Sequence, residues 1–218
     1  QYVFHLASRI SRGTSLKTLH ELSQIHYGFT FSLVNAVSKV QELKRFVHVG
    51  TIDEYGRPTV PFREDSRELP VNPYAFTKLM ATRFVEYAAK EHSFPAVVVR
   101  PSLTYGPAQN IRMFVPSIIV SCIAKKDFVM SKGKQTRDFL YVDDLVHGLI
   151  LAAEIDGIEG EIINLVSGKE VQLRIVTEVV NRYFGNQITV RYGEIPLRAG
   201  ESMHFGMDSS KAKRLLGW

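Results

Sequence analysis

The amino-acid sequence predicts an α/β fold with a doubly wound parallel sheet, in which helices cover both faces. Short apolar runs rich in Val, Ile and Phe alternate along the chain with longer stretches in which apolar residues recur at helical spacing. The short runs are almost continuously apolar, which is typical of parallel strands buried on both faces. With 218 residues, 45% of them hydrophobic, the chain is long enough to build a sizeable core.

Four segments are predicted to be strands of this sheet. Each is a short, mainly apolar run bounded by polar or turn-forming residues. They are residues 2–6, 45–49, 96–100 and 161–165. Because the first run begins almost at the first residue, we expect further sheet-forming sequence upstream of it.

Five segments are predicted to be helices, at residues 32–42, 73–91, 112–124, 142–153 and 172–184. The second begins with Pro73, which suits the first turn of a helix. It also carries an apolar stripe at helical spacing, interpreted as a packing face. The stripe consists of Phe76, Leu79, Met80, Phe84 and Ala88.

The composition of the chain changes after the third predicted strand. Residues 101–107 are rich in turn-forming residues and follow directly on that strand. They are therefore expected beyond the carboxyl end of the sheet, where α/β proteins bind ligands. Residues 108–218 are predicted to form mainly a smaller, substrate-facing lobe, while the strand 161–165 rejoins the main sheet. Asp143 and Asp144 are expected to cap and begin a helix.

Composition argues against several kinds of protein and site. The single cysteine, Cys122, lies in an apolar run, which predicts a core position and a reducing compartment, the cytoplasm. No apolar run approaches the roughly 20 residues that cross a membrane. The net charge of +5 is dispersed, which favours a small anionic ligand over nucleic acid. The histidines lack metal-ligand spacing, and His5 and His48 are interpreted as structural.

Tyr74 and Lys78 are the most informative residue pair in the sequence. Their four-residue spacing on a helix places the phenol and the ammonium on one face. A cation beside a phenol stabilises the phenolate, which suits a base that takes a proton from a hydroxyl during oxidation to a carbonyl. The pair alone is a weak signal, because a chain with nine Tyr readily contains such a spacing by chance.

Other segments raise the value of this pair because they occur with it in a recognisable order. Together they resemble the extended short-chain dehydrogenase/reductases that act on nucleotide sugars, the NAD-dependent epimerase/dehydratase family, over almost the whole chain. The segments are VFHLA (residues 3–7), RFVHVGT (45–51) with YG (55–56), PYAFTK (73–78), RP with YGP (100–107), RDFLYVDDL (137–145), RAGE (198–201) and the tail 208–218.

This resemblance implies a Rossmann-like fold and a set of catalytic residues. Residues 1–107 would be the remainder of the dinucleotide-binding domain. Tyr74 would be the general base, Lys78 its electrostatic partner and a ligand of the cofactor ribose, and Thr51 a hydrogen-bond partner of the reacting hydroxyl. Since an unperturbed tyrosine has a pKa of about 10, Lys78 and the positive nicotinamide would have to lower it by about 3 units.

The resemblance also implies residues that bind the cofactor and the substrate. The cofactor would be NAD, with NADP as an alternative, and the substrate a nucleotide sugar. Arg137 and Arg198 suit a diphosphate or base, because a guanidinium makes paired hydrogen bonds to phosphate oxygens. Cofactor contacts are expected at Leu6, Ala7, Ser8, Tyr74, Lys78 and Pro101, and substrate contacts at Thr51, Leu103, Arg137, Arg198 and Glu201.

Three departures from the family pattern leave questions open. The glycine-rich loop that binds the dinucleotide pyrophosphate occurs nowhere in the sequence, so these residues are expected to be inactive alone, with the loop either upstream or lacking. Leu103 stands where many relatives have asparagine, and Tyr27 to Phe31 replaces an N-x-x-G-T pattern.

Ile52 stands where 4,6-dehydratases commonly have an acid. Asp53 and Glu54 follow it, but in a strand-like segment a shift of one residue turns a side chain to the other face. A sugar-nucleotide 4-epimerase is therefore the first hypothesis, a 4-ketoreductase or 4,6-dehydratase the second, and a non-catalytic nucleotide-sensing relative the third. A homodimer through the helices 32–42 and 73–91 is also expected.

Overall fold

The computed structural model describes residues 1–11, 13–57, 60–197 and 201–218. The strands are β1 (Tyr2–His5), β2 (Arg45–Val49), β3 (Ala96–Pro101), β4 (Leu103–Tyr105), β5 (Phe128–Met130), β6 (Thr136–Tyr141), β7 (Ile162–Leu165), β8 (Glu170–Gln172) and β9 (Val190–Tyr192). The α-helices are α1 (Leu16–Ser23), α2 (Phe29–Val37), α3 (Pro73–His92), α4 (Phe114–Ile123), α5 (Val142–Glu154), α6 (Leu173–Tyr183) and α7 (Ser210–Leu216).

The main sheet contains four parallel strands in the order β1-β2-β3-β7. The predicted α/β fold with a parallel sheet is therefore confirmed. In a parallel sheet all strands end at the same edge, so the residues that follow β1, β2 and β3 lie side by side. Leu6, Thr51 and Ser102 thus share the edge at which α/β proteins bind ligands.

Alternating side chains of the central strands pack against helices on both faces of the sheet. Val47, Val97 and Val99 belong to a buried cluster with residues of α5 and α7. Phe46 and Val98 belong to another, with residues of α2 and α3. Burial on both faces explains why these strands are apolar at nearly every position.

Two smaller sheets lie outside the main one. In the first, β6 pairs in parallel with β4 and antiparallel with β8; in the second, β5 pairs with β9. The segment 101–107, expected to be only a turn-rich loop, therefore contains the short strand β4. It becomes a strand because β6 provides a hydrogen-bonding partner that is distant in sequence.

The helix predicted at residues 32–42 is wrong in extent. Helical backbone runs from α1 through the π-helical turn Gln24–Gly28 into α2, which ends at Val37. A π turn adds a residue to the helical repeat, so the apolar positions on its two sides are out of phase. The sequence pattern therefore detected only part of this helix.

The apolar stripe on α3 is a packing face only in part, because Ala88 belongs to the buried cluster shared with α2 and Phe84 packs against it, whereas Phe76 is largely exposed. Most of the buried residues of α3, apart from Val85, are small or polar side chains. The buried residues are Ala75, Thr77, Lys78, Ala81, Thr82, Val85, Ala88 and Ala89. Phe76 is 46% exposed, and Phe84 is half-buried.

None of the helices in the described part of the chain combines the length and the apolar character needed to cross a membrane. Cys122 is buried, packed in a cluster with Ile118 and Ile188.

Candidate active site

Tyr74 and Lys78 are positioned by the beginning of α3. The Asn72 side chain accepts a hydrogen bond of 2.9 Å from the backbone N–H of Ala75, and Pro73 occupies the first turn. This capping arrangement fixes where the helix begins. Tyr74, in the first turn, is half-buried, whereas Lys78, one turn further, is only 3% exposed.

The Lys78 ammonium is held at the carboxyl end of β2. Its Nζ donates a hydrogen bond of 2.6 Å to the carbonyl oxygen of Val49. Burial lowers the pKa of Lys78, and the negative charge of Glu54 opposes that effect. Helix α3 is thereby joined to the strand end from which Thr51 projects.

Thr51 caps a short 3-10 helix, Ile52–Glu54, immediately after β2. Its hydroxyl accepts the N–H of Asp53 at 3.3 Å, and its own backbone N–H donates to a carboxylate oxygen of Glu54 at 2.8 Å. These two bonds form a capping box. The Thr51 side chain also lowers the pKa of Tyr74 as a hydrogen-bonding neighbour, so the structure places the predicted base and the predicted hydroxyl partner close to each other.

Beneath Thr51 lies a fully buried ion pair between Glu54 and Arg100. Both side chains are 0% exposed, and the nearest nitrogen and oxygen are 2.8 Å apart. The same carboxylate accepts hydrogen bonds from Thr82 at 3.0 Å and from the Thr51 N–H. A Cβ at Gly50 would lie 2.6 Å from it, so the glycine permits this close approach. Sequence reasoning missed Glu54 because its role depends on a strand 46 residues away.

The Tyr74 phenol is held in its neutral form in this structure. Burial raises its pKa above the ordinary value, and the nearby carboxylate of Asp53 adds to the effect. Hydrogen bonds from the Ser8 and Thr51 side chains lower it, but by less. The lowering expected from Lys78 together with the nicotinamide is therefore not achieved by the chain's own residues.

Asp53 corrects an expectation based on strand geometry. The segment after Thr51 is a 3-10 helix rather than a strand, so side chains do not alternate between two faces. Asp53 acts electrostatically on Tyr74. Burial raises its pKa, whereas the positive charge of Arg137 lowers it. A carboxyl group therefore lies in the environment of the base, although it is not at position 52.

Three buried histidines surround Lys78. They are His5, His26 and His48, each no more than 4% exposed. The rings of His5 and His48 are 5.2 Å apart. Burial, with the positive charge of Lys78 as the second cause, lowers the pKa of His5 and of His26 to about 4 and that of His48 further below its usual range. All three are therefore neutral at pH 7. No motif or spacing in the sequence indicated that His26 would lie in the candidate site.

These histidines predict that stability falls on mild acidification. Unfolded histidine has a pKa of about 6.5, so between about 6.5 and 4 the unfolded chain binds protons that folded His5 and His26 do not. The free energy of unfolding should therefore decrease as the pH falls through that window. Urea denaturation at pH 7, 6 and 5 measures it. His26→Gln should weaken the dependence of the free energy of unfolding on pH, whereas His147→Gln, at an exposed residue, should leave that dependence unchanged. Equal stability of the wild type at all three pH values would contradict the prediction.

The residues expected to contact the cofactor lie along the carboxyl edge of the sheet. Leu6, Ala7 and Ser8 are exposed directly after β1, and Pro101 is half-buried at the end of β3. Tyr74 and Lys78 lie beside this edge. These positions suit the nicotinamide and its ribose, because they leave open surface next to the base.

Leu103, Arg137 and Glu201, three of the expected substrate contacts, line one cleft of about 480 Å³. Arg137 pairs with Glu201 at 3.0 Å and donates to the Ser202 carbonyl oxygen at 3.0 Å. Its positive charge also lowers the pKa of Asp53, and Asp53 in turn acts electrostatically on Tyr74. The cleft therefore lies close to the candidate base. Arg198 lies outside the described residues.

Two acidic segments near the cleft are structural. The Asp138 carboxylate accepts the N–H groups of Ser167, Gly168 and Lys169 at 2.7 to 3.2 Å, so it anchors that loop. Asp143 and Asp144 lie in the first turn of α5, but the helix has no side-chain cap, so only the expectation that they begin the helix holds. No group of His, Cys, Asp or Glu that could hold a metal ion is found among the described residues.

Comparison with curated proteins identifies sugar-nucleotide enzymes as relatives. The chain is 31% identical to the dTDP-D-glucose 4,6-dehydratase of Bos taurus over 82% of its length, and 30% identical to the UDP-glucuronate 4-epimerase of Thermodesulfobacterium geofontis over 99%. It spans 50% of the length of the first and 66% of the second.

A solved structure and a family model agree with these relatives. The structure of UDP-glucuronic acid 4-epimerase from Bacillus cereus, in complex with UDP-glucuronic acid and NAD, has a TM-score of 0.89 and 28% identity, covering 100% of this chain and 69% of that one. The model of the NAD dependent epimerase/dehydratase family matches residues 1–165. The chain therefore belongs to the NAD-dependent epimerase/dehydratase family.

Proposed function

We propose that the protein is an NAD-dependent sugar-nucleotide 4-epimerase in which Tyr74 is the general base. The observation that carries the proposal is the placement of Tyr74 close enough to Thr51 for the threonine hydroxyl to lower the pKa of the phenol, beside a buried Lys78 and at the carboxyl edge of the sheet. Two hydroxyl groups held next to each other in this way can bind a third, that of a sugar, between them. Both the 4-epimerase relative and the family assignment support this choice.

In this mechanism Thr51 binds the sugar 4-hydroxyl and orients its proton toward Tyr74. NAD, when bound, would supply reversible hydride acceptance at C4. Tyr74 takes the hydroxyl proton and gives it back after the sugar has turned, so no proton is gained or lost overall. Lys78, with its ammonium in a buried site, favours the phenolate form that the first step requires.

The residues present fit one end of such a cofactor. Leu6, Ala7, Ser8 and Pro101 would contact the nicotinamide and its ribose, and Lys78 would bond the ribose hydroxyls. The pyrophosphate would need a glycine-rich loop at a helix N-terminus, and the sequence contains none. The proposed activity therefore requires such a loop from outside these residues.

The cleft lined by Leu103, Arg137 and Glu201 is the proposed site of the nucleotide diphosphate. Arg137 can bind phosphate oxygens by exchanging its contact with Glu201. The aromatic side chains of Phe114 and Phe139, which also line the cleft, offer surfaces against which a base can stack. Arg198 remains a proposed contact.

A product assay tests the proposed function. The protein expressed from its complete gene is incubated with NAD and, separately, with UDP-linked and dTDP-linked sugars, and the products are followed by proton NMR. Inversion at C4 without net NADH formation is expected. Binding of the sugars with no turnover would overturn the proposal in favour of a nucleotide-sensing role, and net consumption of NADH or NADPH would indicate a 4-ketoreductase.

A 4,6-dehydratase is the second candidate, and the position of Asp53 favours it. Elimination of the 6-hydroxyl requires an acid near the base. Asp53 is close enough to Tyr74 to act on it electrostatically, and burial raises the pKa of its carboxyl group. The dTDP-D-glucose 4,6-dehydratase relative is consistent with this alternative. In the NMR assay, replacement of the C6 methylene signals by a methyl signal would identify it.

The substitution Asp53→Asn separates the two functions. In a 4-epimerase, Asp53 donates no proton, so turnover should stay within about threefold of the wild type; in a dehydratase, loss of the acid should reduce turnover about 10²-fold or more. Initial rates with the preferred sugar measure the difference. Asp65→Asn, at an exposed carboxylate, is the matched control. A large loss in an enzyme that inverts C4 would contradict the role assigned here.

A homodimer through α2 and α3 is also proposed. Phe31 and Tyr87 are 49% and 57% exposed, and together with Phe84 they line an open groove between the two helices. The rings of Phe31 and Phe84 are 5.3 Å apart. An exposed aromatic patch of this kind is typical of a protein interface.

Phe31→Glu should convert the proposed dimer into a monomer, because it places a charge in an apolar interface. Sedimentation velocity at several protein concentrations measures the mass. Tyr183→Glu, at a residue of α6 that is 86% exposed, is the control and should leave the mass unchanged. A wild-type protein that sediments as a monomer at all concentrations would contradict the dimer.

A further inference from the structure

His26 lies directly against the proposed base. Its ring is 5.5 Å from that of Tyr74, centroid to centroid, with the two planes at 83°. The residue is 2% exposed and belongs to the π-helical turn Gln24–Gly28. Such turns are rare and frequently occur at functional sites, because they redirect a side chain within a continuous helix.

The hydrogen bonds of His26 define which ring nitrogen carries the proton. The backbone N–H of Arg9 donates to Nε2 at 3.3 Å, so Nε2 is an acceptor. Nδ1 therefore carries the hydrogen and donates to the Thr77 hydroxyl at 2.8 Å. That hydroxyl in turn donates to the Pro73 carbonyl oxygen at 2.8 Å. His26 is thus a neutral imidazole whose acceptor nitrogen is Nε2.

Ser8 connects His26 to Tyr74. Its Oγ is 3.2 Å from Nε2 of His26, and its side chain also lowers the pKa of Tyr74 as a hydrogen-bond donor to the phenolate. A serine hydroxyl has one hydrogen and can donate it to only one partner at a time. If Ser8 donates to His26, its oxygen accepts the phenol hydrogen of neutral Tyr74. If Ser8 instead donates to Tyr74, it stabilises the phenolate and leaves His26 bonded to Arg9.

We propose that His26 is a positioning residue that acts on the base through Ser8, by competing with Tyr74 for the single hydroxyl hydrogen of Ser8. His26 favours the neutral phenol, and the turn of the Ser8 hydroxyl toward Tyr74 accompanies formation of the phenolate. The inference rests on the proposed function only in taking Tyr74 as the base. The hydrogen-bond competition itself concerns the phenol, whatever the substrate.

Charged and titratable groups on the neighbouring elements leave this competition intact. Lys78 on α3 and His5 on β1 both disfavour a second positive charge at His26, so Nε2 remains an acceptor at neutral pH. On the other side, Asp53 disfavours the phenolate and Thr51 favours it. These influences are common to the variants below, since none of them replaces those residues.

The titration of Tyr74 tests the proposal without requiring catalysis. A fluorotyrosine, whose phenol is more acidic than that of tyrosine, is incorporated at position 74 of the full chain. Its ionisation is followed by fluorine NMR as the pH is raised, in the absence of cofactor. Failure of the proposed epimerase activity would leave this measurement unaffected, so the two ideas fail separately.

Substitutions at positions 8 and 26 should move the titration in opposite directions. Ser8→Ala removes a donor to the phenolate and should raise the midpoint by about one pH unit, the effect of one hydrogen bond. His26→Asn keeps a polar atom near the position of Nδ1 but removes the acceptor at Nε2, so it should lower the midpoint by a similar amount. His26→Gln, which places an acceptor near the position of Nε2, should stay close to the wild type.

A double variant excludes a simpler explanation, namely water entering the space left by the smaller asparagine. In the Ser8→Ala background, His26→Asn should have no further effect if His26 acts through Ser8, whereas water entry would still lower the midpoint. Circular dichroism and thermal unfolding confirm that each variant is folded. Shifts of the same sign for Ser8→Ala and His26→Asn, or a His26→Asn shift that persists in the double variant, would overturn the proposal.

Discussion

Replacing Tyr74 by phenylalanine is expected to lower the turnover of the preferred nucleotide sugar by about 10²- to 10⁴-fold, the range typical of a lost general acid or base. The substitution removes the hydroxyl whose pKa responds to both Thr51 and Ser8. The half-buried ring remains, so packing should change little. Initial rates at saturating sugar and NAD, with product formation followed by NMR, measure the effect.

The matched control for this experiment is Tyr183→Phe. Tyr183 is 86% exposed at the end of α6, far in sequence from the site residues, and its loss of a hydroxyl should leave turnover unchanged. Thermal unfolding of both variants should remain near that of the wild type. If Tyr74→Phe retained turnover within a few-fold of the wild type, another group would have to be the base.

Arg100→Met is expected to reduce the free energy of unfolding by about 3–5 kcal/mol, because it leaves a buried charge without its partner. Glu54 and Arg100 are both 0% exposed, so water cannot replace the lost ion pair. Arg100 also bonds Glu68 at 2.9 Å, and its guanidinium lies 4.5 Å from the centroid of the Tyr55 ring. Urea denaturation, with the midpoint and slope both fitted, measures the loss.

An arginine in the same network provides the comparison. Arg83 pairs with Glu68 and Glu86, but its side chain is 45% exposed, so Arg83→Met should cost only about 0–1 kcal/mol. The double variant Glu54→Gln with Arg100→Met should recover part of the loss, since neither buried charge then remains. Equal losses of unfolding free energy for Arg83→Met and Arg100→Met would show that burial does not determine how much the Glu54–Arg100 ion pair contributes to stability.

The main sheet was predictable from the sequence because its strands are buried on both faces. That burial favours runs of apolar residues, as in the four consecutive apolar residues that begin β3, and makes the strands recognisable without knowledge of their partners. The start of α3 was predictable for a similar local reason, since Pro73 occupies its first turn. Where local pattern and tertiary structure disagree, as in the helical segment from α1 to α2, the π turn around His26 changes the repeat.

Within the candidate site, the sequence by itself determined which chemical groups are available. Tyr74 and Lys78 share a helix face because of their spacing, and Thr51 follows a strand. Those relations depend on residues close together in the chain. The order of the segments that resemble the family then predicts that Tyr74, Lys78 and Thr51 belong to one site.

Only the tertiary structure decided how these groups are surrounded. The burial that raises the Tyr74 pKa, the partner that Glu54 finds in Arg100 and the contact between Ser8 and His26 all join elements that are distant in sequence. Such contacts leave no repeat or local spacing in the chain, because each depends on where separate strands and helices meet. The electrostatic state of the base is therefore a property of the packed fold rather than of the motif that contains it.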